Sequence, residues 1–309
     1  MKLRMCLLWL VALLCAMPAS AQDNALPQPT ITLYVTVDWE GLSLDEENLE
    51  AIREFRRTYP HIAMLHLLNP VYFLQPGINT ADTTAKIRSV LLPGDEHGLH
   101  LHGWKSLVEY CKVEYKSEPS FAGAAEQCED GSCGYAVSLE YAYSQYELAT
   151  LVGCSADLLV KRGFDRPRSF RAGGWQLGPK LAVALLDNGF VFDSSRTVPQ
   201  LVANRWGETS NLMQMVKVLH ADGSILDQPY ELLPGLMEYP NNASLADYTS
   251  TDQLLEIFRT LLASGKTVMV LGFHQESAFN YLNRLADAIP RMQQEADAAG
   301  IRLEWAQYR

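Results

Sequence analysis

The sequence predicts an α/β fold, a distorted (β/α) barrel of about seven strands. Short apolar runs alternate along the chain with longer segments of helical period, which is the pattern of repeated βα units around a parallel sheet. The strand candidates are residues 31–37, 62–68, 98–102, 168–171, 190–193, 233–239, 267–273 and 301–305. The helix candidates are residues 45–57, 80–91, 139–162, 177–188, 252–263 and 281–299. This alternation suits a barrel better than an open doubly wound sheet.

The individual strands are predicted from short apolar runs such as ITLYVTV at 31–37 and TVMVLGF at 267–273,. Two stretches interrupt the alternation of strands and helices. Residues 105–137 hold three cysteines, and residues 196–231 are rich in polar and turn-forming residues. We interpret both stretches as long loops on the functional face of the barrel.

The N-terminus has the form of a cleavable secretory signal. Lys2 and Arg4 precede an apolar run at residues 5–17, and a small-residue triplet ends at Ala21,. The alternative is a membrane anchor, but the run is shorter than the roughly 20 residues that a spanning helix needs. We therefore expect residues 1–21 to be removed, and the product to be exported to the periplasm or secreted without a membrane attachment.

The remaining residues, 22–309, are predicted to form a single catalytic domain, because they contain no repeat, low-complexity tract or linker,. The whole chain has 36 acidic against 25 basic residues, a net charge of −11. Such a charge argues against nucleic acid or anionic membrane as a partner. Its simplest consequence is solubility.

Four cysteines follow the signal, an even number that favours two disulfides in an oxidising compartment,. Cys128 and Cys133 flank a turn-forming tetrapeptide, so we expect them to pair with each other and Cys111 to pair with Cys154. A four-thiolate zinc site is the alternative. The spacing argues against it because the chain lacks two C-x-x-C knuckles.

Two carboxylates follow the first predicted strand. Asp38 and Glu40 are two residues apart, so on an extended backbone their side chains point to the same side, toward the mouth of the barrel,. Carboxylates at the carboxyl end of a barrel strand are candidates for a general base and a metal ligand. The alternative is a pair of surface carboxylates that cap the next helix.

Two histidines end the third predicted strand. The same period of two aligns His100 with His102 in the segment GLHLHGW. Such a pair is a suitable set of ligands for zinc or a similar metal. His61, His66 and His220 have no comparable context, and we interpret them as structural or surface residues.

Polar groups also follow three later strand candidates. They are Arg171 in FRAGGW, Asp193 in the DSS segment, and His274 at the end of LGFH. One such group means little, because a lone aspartate or glycine there can cap a helix or form a turn. Polar groups at the ends of five successive strands predict a catalytic mouth.

Taken in order over residues 32–274, these segments resemble the motifs of the polysaccharide deacetylases of carbohydrate esterase family 4, which share the nodulation-protein-B homology domain. TVDWEG is similar to the opening motif T-F-D-D-G, HGLHLHGW to the histidine motif, FRAGGW to the arginine motif, DSS to the fourth motif and LGFH to the final L-x-x-H. The ordered set is specific, although no single motif is.

The chain departs from the family pattern at two points. Trp39 replaces the second of two adjacent aspartates, which leaves Glu40 as the substitute ligand. Family histidines are four residues apart, whereas Trp104 occupies the position four after His100, which leaves His102 as the second ligand. These changes keep the number of ligands and indicate a divergent branch.

The resemblance and the strand geometry together imply a divalent metal, zinc by expectation, held by Glu40, His100 and His102. Asp38 would be the general base. The substrate would be an acetylated glycan, from which an N-acetyl group is removed.

The other catalytic roles follow in the same way. Arg171 would orient Asp38, and His274, assisted by Asp193, would protonate the departing amine. Trp39, Trp104 and Trp175 offer flat faces on which a pyranose ring could stack. Each could equally fill the core under the loops.

Two alternative functions remain open at this stage. The first is a metal-dependent hydrolase of small cyclic amides with the same fold. The second is a carbohydrate-binding protein that has lost catalysis through the change at Trp39. A metal requirement distinguishes the carbohydrate-binding protein from the deacetylase and from the cyclic-amide hydrolase.

Overall fold

The computed structural model describes residues 28–122 and 133–308, so the predicted signal peptide and Cys128 lie outside the described residues. Nine strands in these ranges form one sheet. The strands are β1 (Thr30–Asp38), β2 (Met64–Leu68), β3 (Glu96–Leu101), β4 (Ser169–Ala172), β5 (Phe192–Asp193), β6 (Tyr230–Leu233), β7 (Leu236–Glu238), β8 (Val268–His274) and β9 (Arg302–Trp305).

The helices pack around this sheet. They are α1 (Glu46–Thr58), α2 (Thr80–Arg88), α3 (Lys105–Tyr110), α4 (Leu139–Ala142), α5 (Gln145–Lys161), α6 (Pro179–Asp187), α7 (Pro199–Trp206), α8 (Asn211–Leu219), α9 (Thr251–Ala263) and α10 (Ala278–Ala298). Sequence-encoded caps start several of them: α5 and α9 begin with capping boxes, at Ser144 and Ser250 respectively,. No helix in the described ranges has the length and apolar character needed to cross a membrane.

The strands are ordered β6-β7-β5-β4-β3-β2-β1-β8, with β9 also paired to β1. Neighbours are parallel except for β6 and β7, which form an antiparallel hairpin. The sheet curls strongly into a half-barrel, as the sequence predicted. A non-helical segment, residues 241–246, adds parallel bridges from Asn241 to Thr197 and from Leu245 to Gly272. This segment extends the wall of the barrel next to β8.

The strand register brings the predicted site residues to one edge of the sheet. Asp38 is paired with His274 of β8, and His100 of β3 is paired with Arg171 of β4. Asp193 ends β5, which is the next strand beyond β4. Parallel strands have their carboxyl ends at the same edge, so side chains from distant parts of the sequence face one mouth.

Several element predictions need correction. Residues 105–137 and 196–231 are not simply long loops, because they contain α3, α7, α8 and β6. These helices have only 6, 8 and 9 residues, too short for their period to be clear among polar neighbours,. The predicted helix at 139–162 is two helices, α4 and α5, separated at Ser144.

The strand candidate 233–239 is also divided. It contributes to both β6 and β7, and Gly235 between them has a positive φ of +91°, which permits the turn,. An apolar run interrupted by a turn residue cannot show from its composition that the chain reverses there. The other strand candidates coincide with observed strands to within a few residues.

The disulfide between Cys111 and Cys154 is confirmed. It links the end of α3 to the middle of α5 and closes a loop of 43 residues. Because these two sulfurs are bonded to each other, they cannot be ligands of a four-thiolate zinc site. The predicted pair Cys128–Cys133 depends on a residue outside the described ranges and stays a prediction.

Candidate active site

Three side chains with metal-ligating atoms converge at the carboxyl ends of β1 and β3. Glu40 lies two residues beyond β1, His100 lies in β3 and His102 directly follows that strand; all three are buried. Oε2 of Glu40 lies 2.5 Å from Nε2 of His102 and 3.5 Å from Nε2 of His100. The two Nε2 atoms are 3.2 Å apart. The structure therefore brings together the three predicted ligands.

Backbone carbonyls determine which nitrogen of each imidazole faces this group. Nδ1 of His100 lies 2.9 Å from the carbonyl oxygen of Arg171, and Nδ1 of His102 lies 2.7 Å from that of Tyr135. A carbonyl only accepts hydrogen bonds, so each Nδ1 carries the proton and donates it. In a neutral imidazole the lone pair is then on Nε2, the atom that points at Glu40.

The donor set fits a divalent metal. Oε2 of Glu40 is buried without a hydrogen-bond donor, and two imidazole lone pairs face it. Bonds of about 2.0–2.1 Å at tetrahedral angles would place ligand atoms about 3.3 Å apart. The separations of 3.2 and 3.5 Å are near this value, and the 2.5 Å separation requires a small outward shift of the Glu40 carboxylate.

The electrostatics of this group favour a cation. Burial by itself opposes ionisation of Glu40, but the neighbouring His102 and His100 hold its pKa well below the usual value. Burial likewise opposes protonation of His100, yet the Glu40 carboxylate raises its pKa. The site therefore attracts positive charge at the point where the ligand atoms converge.

Asp38 and Arg171 form a buried ion pair beside the candidate metal ligands. Nη1 of Arg171 donates to Oδ1 of Asp38 at 2.7 Å and to Oγ1 of Thr36 at 2.9 Å. Nε donates to the carbonyl oxygen of Ser194 and Nη2 to its hydroxyl, both at 2.7 Å. These contacts hold the guanidinium against Asp38, the arrangement that the sequence predicted for these two residues.

His274 lies between two carboxylates, one of which differs from the prediction. Its Nε2 is 3.0 Å from Oε1 of Glu40, and its Nδ1 is 3.0 Å from Oδ2 of Asp247. The predicted partner was Asp193, and that pairing is wrong. Burial opposes protonation of His274, but Asp247 raises its pKa well above the usual value. In turn, burial disfavours the charged form of Asp247, yet His274 and other donors lower its pKa to about 2.

The carboxylate of Asp193 makes its hydrogen bonds to the chain after β5 and not to His274. Its two oxygens accept hydrogen bonds from the amide and hydroxyl of Ser195, at 2.9 and 2.8 Å. The Ser195 hydroxyl in turn accepts from the amide of Ala172 at 2.9 Å. Burial raises the pKa of Asp193, and it also raises that of Glu238, which is paired with Asp193 across β5 and β7. Asp193 thus shapes the backbone that holds Arg171 without contacting His274.

The three tryptophans occupy different environments. Trp39 is completely buried and donates from Nε1 to Nδ1 of His66 at 3.2 Å, a placement that favours the core role over sugar stacking. Trp104 is 5% exposed and donates from Nε1 to the carbonyl oxygen of Glu40 at 3.0 Å. Trp175 is 4% exposed, but it lines the cavity next to the candidate metal ligands.

A small cavity lies beside the candidate metal ligands, Asp38 and His274. Its volume is about 20 Å³, which exceeds the 10–15 Å³ or so that one water molecule requires,. Asp38, Glu40, His100 and His274 line one part of it. The other lining residues are mostly apolar or aromatic: Phe121, Tyr135, Ala172, Gly174, Trp175, Trp206, Leu212 and Tyr248.

A larger cleft of about 210 Å³ lies next to this cavity and shares Glu40, Tyr135 and His274 with it. It also contains Asp247 and Glu276, two residues that sequence reasoning missed. Asp247 lies in a segment with no period-two pattern at the end of a strand. Glu276 follows His274 by two residues, which is the one local signal that could have indicated it.

The fold has known counterparts. A candidate polysaccharide deacetylase from Mycobacterium smegmatis matches 94% of this chain and 90% of its own, with a TM-score of 0.51 and 15% identity. A family 4 carbohydrate esterase from Streptomyces lividans, in complex with acetate, matches over 90% and 92% with a TM-score of 0.41 and 13% identity. A family 4 pseudoenzyme from Bacillus anthracis matches over 90% and 64% with a TM-score of 0.42 and 10% identity.

The chain matches no protein-family model, and no curated protein is significantly similar in sequence. The half-barrel therefore has the fold of the candidate polysaccharide deacetylase from Mycobacterium smegmatis, at a sequence identity of only 15%. At the mouth of this fold, the chain has a buried glutamate and two histidines that could hold a metal.

Proposed function

We propose that this protein is a metal-dependent deacetylase that removes acetyl groups from an N-acetylated sugar polymer. The observation that carries the proposal is the convergence of three ligand atoms, a carboxylate held by an arginine and a histidine held by an aspartate around one cavity. The residues of these three parts come from four strand ends and from the segment around Asp247. Their meeting at one point is an arrangement that would support metal-assisted hydrolysis.

Glu40, His100 and His102 would hold the metal, with zinc as the expected ion. When bound, such an ion would polarise the acetyl carbonyl and lower the pKa of a water molecule. Both histidines are already oriented by their Nδ1 hydrogen bonds, so their lone pairs need no rearrangement to bind,.

Asp38 would take the proton from the attacking water. Arg171 would fix the direction of the Asp38 carboxylate, because the guanidinium is completely buried and bonded to both Asp38 and Ser194. On the other side of the cavity, His274 would give a proton to the departing amine. Asp247 would hold the imidazole in its protonated form until that step,.

The aromatic lining of the cavity suits the rest of the substrate. Trp175 and Tyr248 contact each other edge to face, with ring centroids 5.3 Å apart, and both line the cavity. Apolar faces of this kind would accept the acetyl methyl group and a pyranose ring. The Asp38–Arg171 and His274–Asp247 pairs favour an active enzyme over a carbohydrate-binding protein without catalysis.

We also propose that the protein acts outside the cytoplasm. The Cys111–Cys154 disulfide supports this location, because such bonds persist in oxidising compartments,. The signal-like N-terminus and the glycan substrate are consistent with it.

The test is hydrolysis by metal-free and zinc-reconstituted protein on a panel of substrates, measured as acetate release from the acetylated glycans and as ring opening of the cyclic amide. The panel contains N-acetylglucosamine oligomers, peptidoglycan, an O-acetylated xylan and a small cyclic amide. Zinc-dependent acetate from the N-acetylated oligomers or peptidoglycan would support the proposal. Turnover of the cyclic amide alone, or glycan binding with no zinc-dependent turnover, would contradict it.

A further inference from the structure

The side chain of Glu276 is directed at the backbone of the loop that carries Glu40. Its two oxygens accept hydrogen bonds from three successive amides, those of Glu40 at 3.2 Å, Gly41 at 3.0 Å and Leu42 at 3.3 Å. The hydroxyl of Tyr72 also donates to this carboxylate. One carboxylate therefore satisfies three consecutive donors of a non-helical segment.

The opposite side of the same peptide is held by two other side chains. The carbonyl oxygen of Glu40 accepts from Nδ2 of Asn69 and from Nε1 of Trp104, each at 3.0 Å. Gly41 has a φ of +90°, and a Cβ added there would lie 2.2 Å from Val71. The peptide between Glu40 and Gly41 is thus held on both sides and closely packed.

These anchors replace the support that the sheet no longer provides. The sheet pairing of β1 ends at Asp38, and the amide of Trp39 makes the final bond to β2, to the carbonyl oxygen of Leu67 at 3.0 Å. Glu40 lies beyond this point. A ligand beyond the end of a strand needs other groups to orient its backbone, since a shift of about 1 Å is enough to impair a metal site.

We propose that Glu276 is a positioning residue for the metal ligand Glu40, and that Trp104 supports the same peptide from the other side. This inference rests on the proposed metal site. Trp104 occupies the position four residues after His100, and its indole N–H holds the carbonyl of the residue that replaces an aspartate ligand. The two departures from the family pattern are then connected: Glu40 binds from a loop, and Trp104 and Glu276 give that loop its shape.

The inference is tested by zinc affinity in the full-length protein. Metal-free wild type and Glu276→Gln are titrated with zinc in competition with a chromophoric chelator. The glutamine replaces one acceptor oxygen with an NH₂ group that cannot accept from the loop amides. Loss of an outer partner of a metal ligand typically weakens metal binding by about 10- to 100-fold, and we expect a loss in this range.

Matched variants separate positioning from general effects. Glu256→Gln makes the same charge change at an exposed position in α9 and should bind zinc like wild type. Glu276→Asp keeps both oxygens and should recover part of the affinity. Trp104→Phe keeps an aromatic ring but removes the N–H donor, so it should weaken zinc binding by several-fold in a protein that remains folded. It also carries the test if Glu276→Gln does not fold.

The outcomes are distinguishable. Zinc affinities of Glu276→Gln and Trp104→Phe within about twofold of a wild type that binds zinc would overturn the positioning role and leave the proposed function intact. A wild type that binds no zinc would overturn the proposed metal site and this inference with it. Weaker binding in both variants, with normal binding in Glu256→Gln, is the expected result.

Discussion

Nδ1 of His274 lies 3.0 Å from Oδ2 of Asp247, and this ion pair links the end of β8 to a segment with no regular secondary structure. Asp247 is 7% exposed and also receives hydrogen bonds from Arg205, at 3.0 Å, and from Ser277. These donors keep the carboxylate ionised, and its charge in turn favours protonated His274.

Replacement of Asp247 by asparagine should therefore reduce kcat with little effect on bound metal. The variant keeps the shape of the side chain but loses the charge that stabilises the imidazolium. We expect a decrease of about 10²-fold, the lower end of the contribution of a general acid. Acetate release and zinc content are measured on the same preparation, with Asp187→Asn, an exposed position, as the control. A normal kcat in Asp247→Asn would remove Asp247 from the mechanism.

Loss of charge at Asp38, the last residue of β1, and at Glu40, two residues later, should have different effects on zinc binding and turnover. Asp38 contacts Arg171, whereas Glu40 contacts both histidines, so Asp38→Asn should keep zinc and lose about 10²- to 10⁴-fold in turnover,. Glu40→Gln should instead bind zinc weakly, with activity partly restored by excess metal. The measurements are zinc content after dialysis and acetate release. The opposite pattern would make Asp38 the ligand and Glu40 the candidate base.

The disulfide between Cys111 and Cys154 should stabilise the fold without affecting the chemistry. A crosslink that closes a loop of 43 residues restricts the unfolded chain and typically contributes about 2–4 kcal/mol,. The double variant Cys111→Ala, Cys154→Ala should lose a free energy of unfolding of this order in guanidinium titrations and bind zinc normally. An unchanged free energy of unfolding would show that the bond contributes nothing to stability.

Stability should fall in mild acid because of His220. This histidine is buried, and burial lowers its pKa to about 4; its Nε2 lies 2.7 Å from the carbonyl oxygen of Trp175 and donates to it. The unfolded chain has the ordinary pKa of about 6.5, so between pH 6.5 and 4 the unfolded state binds more protons than the folded state. Stability is therefore lost as the pH falls through this window.

The contribution of His220 can be isolated with His220→Gln, which retains a donor but does not titrate. Between pH 7 and pH 4.5, wild type should lose about 2 kcal/mol more free energy of unfolding than this variant, as the difference between the two pKa values requires. Chemical unfolding at the two pH values measures both losses. Equal losses in the two proteins would show that His220 titrates normally in the fold.

The sequence was sufficient for the features that depend on local periodicity. Asp38 and Glu40, like His100 and His102, are separated by two residues at the end of a strand, and an extended backbone directs such residues to one side,. The carboxyl ends of parallel strands lie at one edge, so an α/β prediction was enough to expect these residues near one another. Arg171 was placed beside Asp38 by the same reasoning together with the family resemblance.

The sequence did not reveal contacts made by non-periodic segments. Asp247 reaches His274 because the segment around it is bonded along β8, from the amide of Ala243 to the carbonyl of Val270 at 3.0 Å and from that of Ala246 to Gly272 at 2.8 Å. Such a path is set by the complete sheet and leaves no repeating pattern in the residues. Asp193 was the predicted partner of His274 because it lies at a strand end, but its carboxylate accepts hydrogen bonds from Ser195.

Burial was the other property that only the tertiary structure decided. Trp39 lies between two site residues in sequence, yet its ring is directed into the core beside His66, because the direction of the chain after Asp38 is determined by Leu67 of β2 and by the groups that hold Glu40. The sequence by itself determined which residues end the strands and therefore which could reach the mouth. The tertiary structure decided which of them face one another, because hydrogen bonds from distant loops, and not the period of a strand, orient each side chain there.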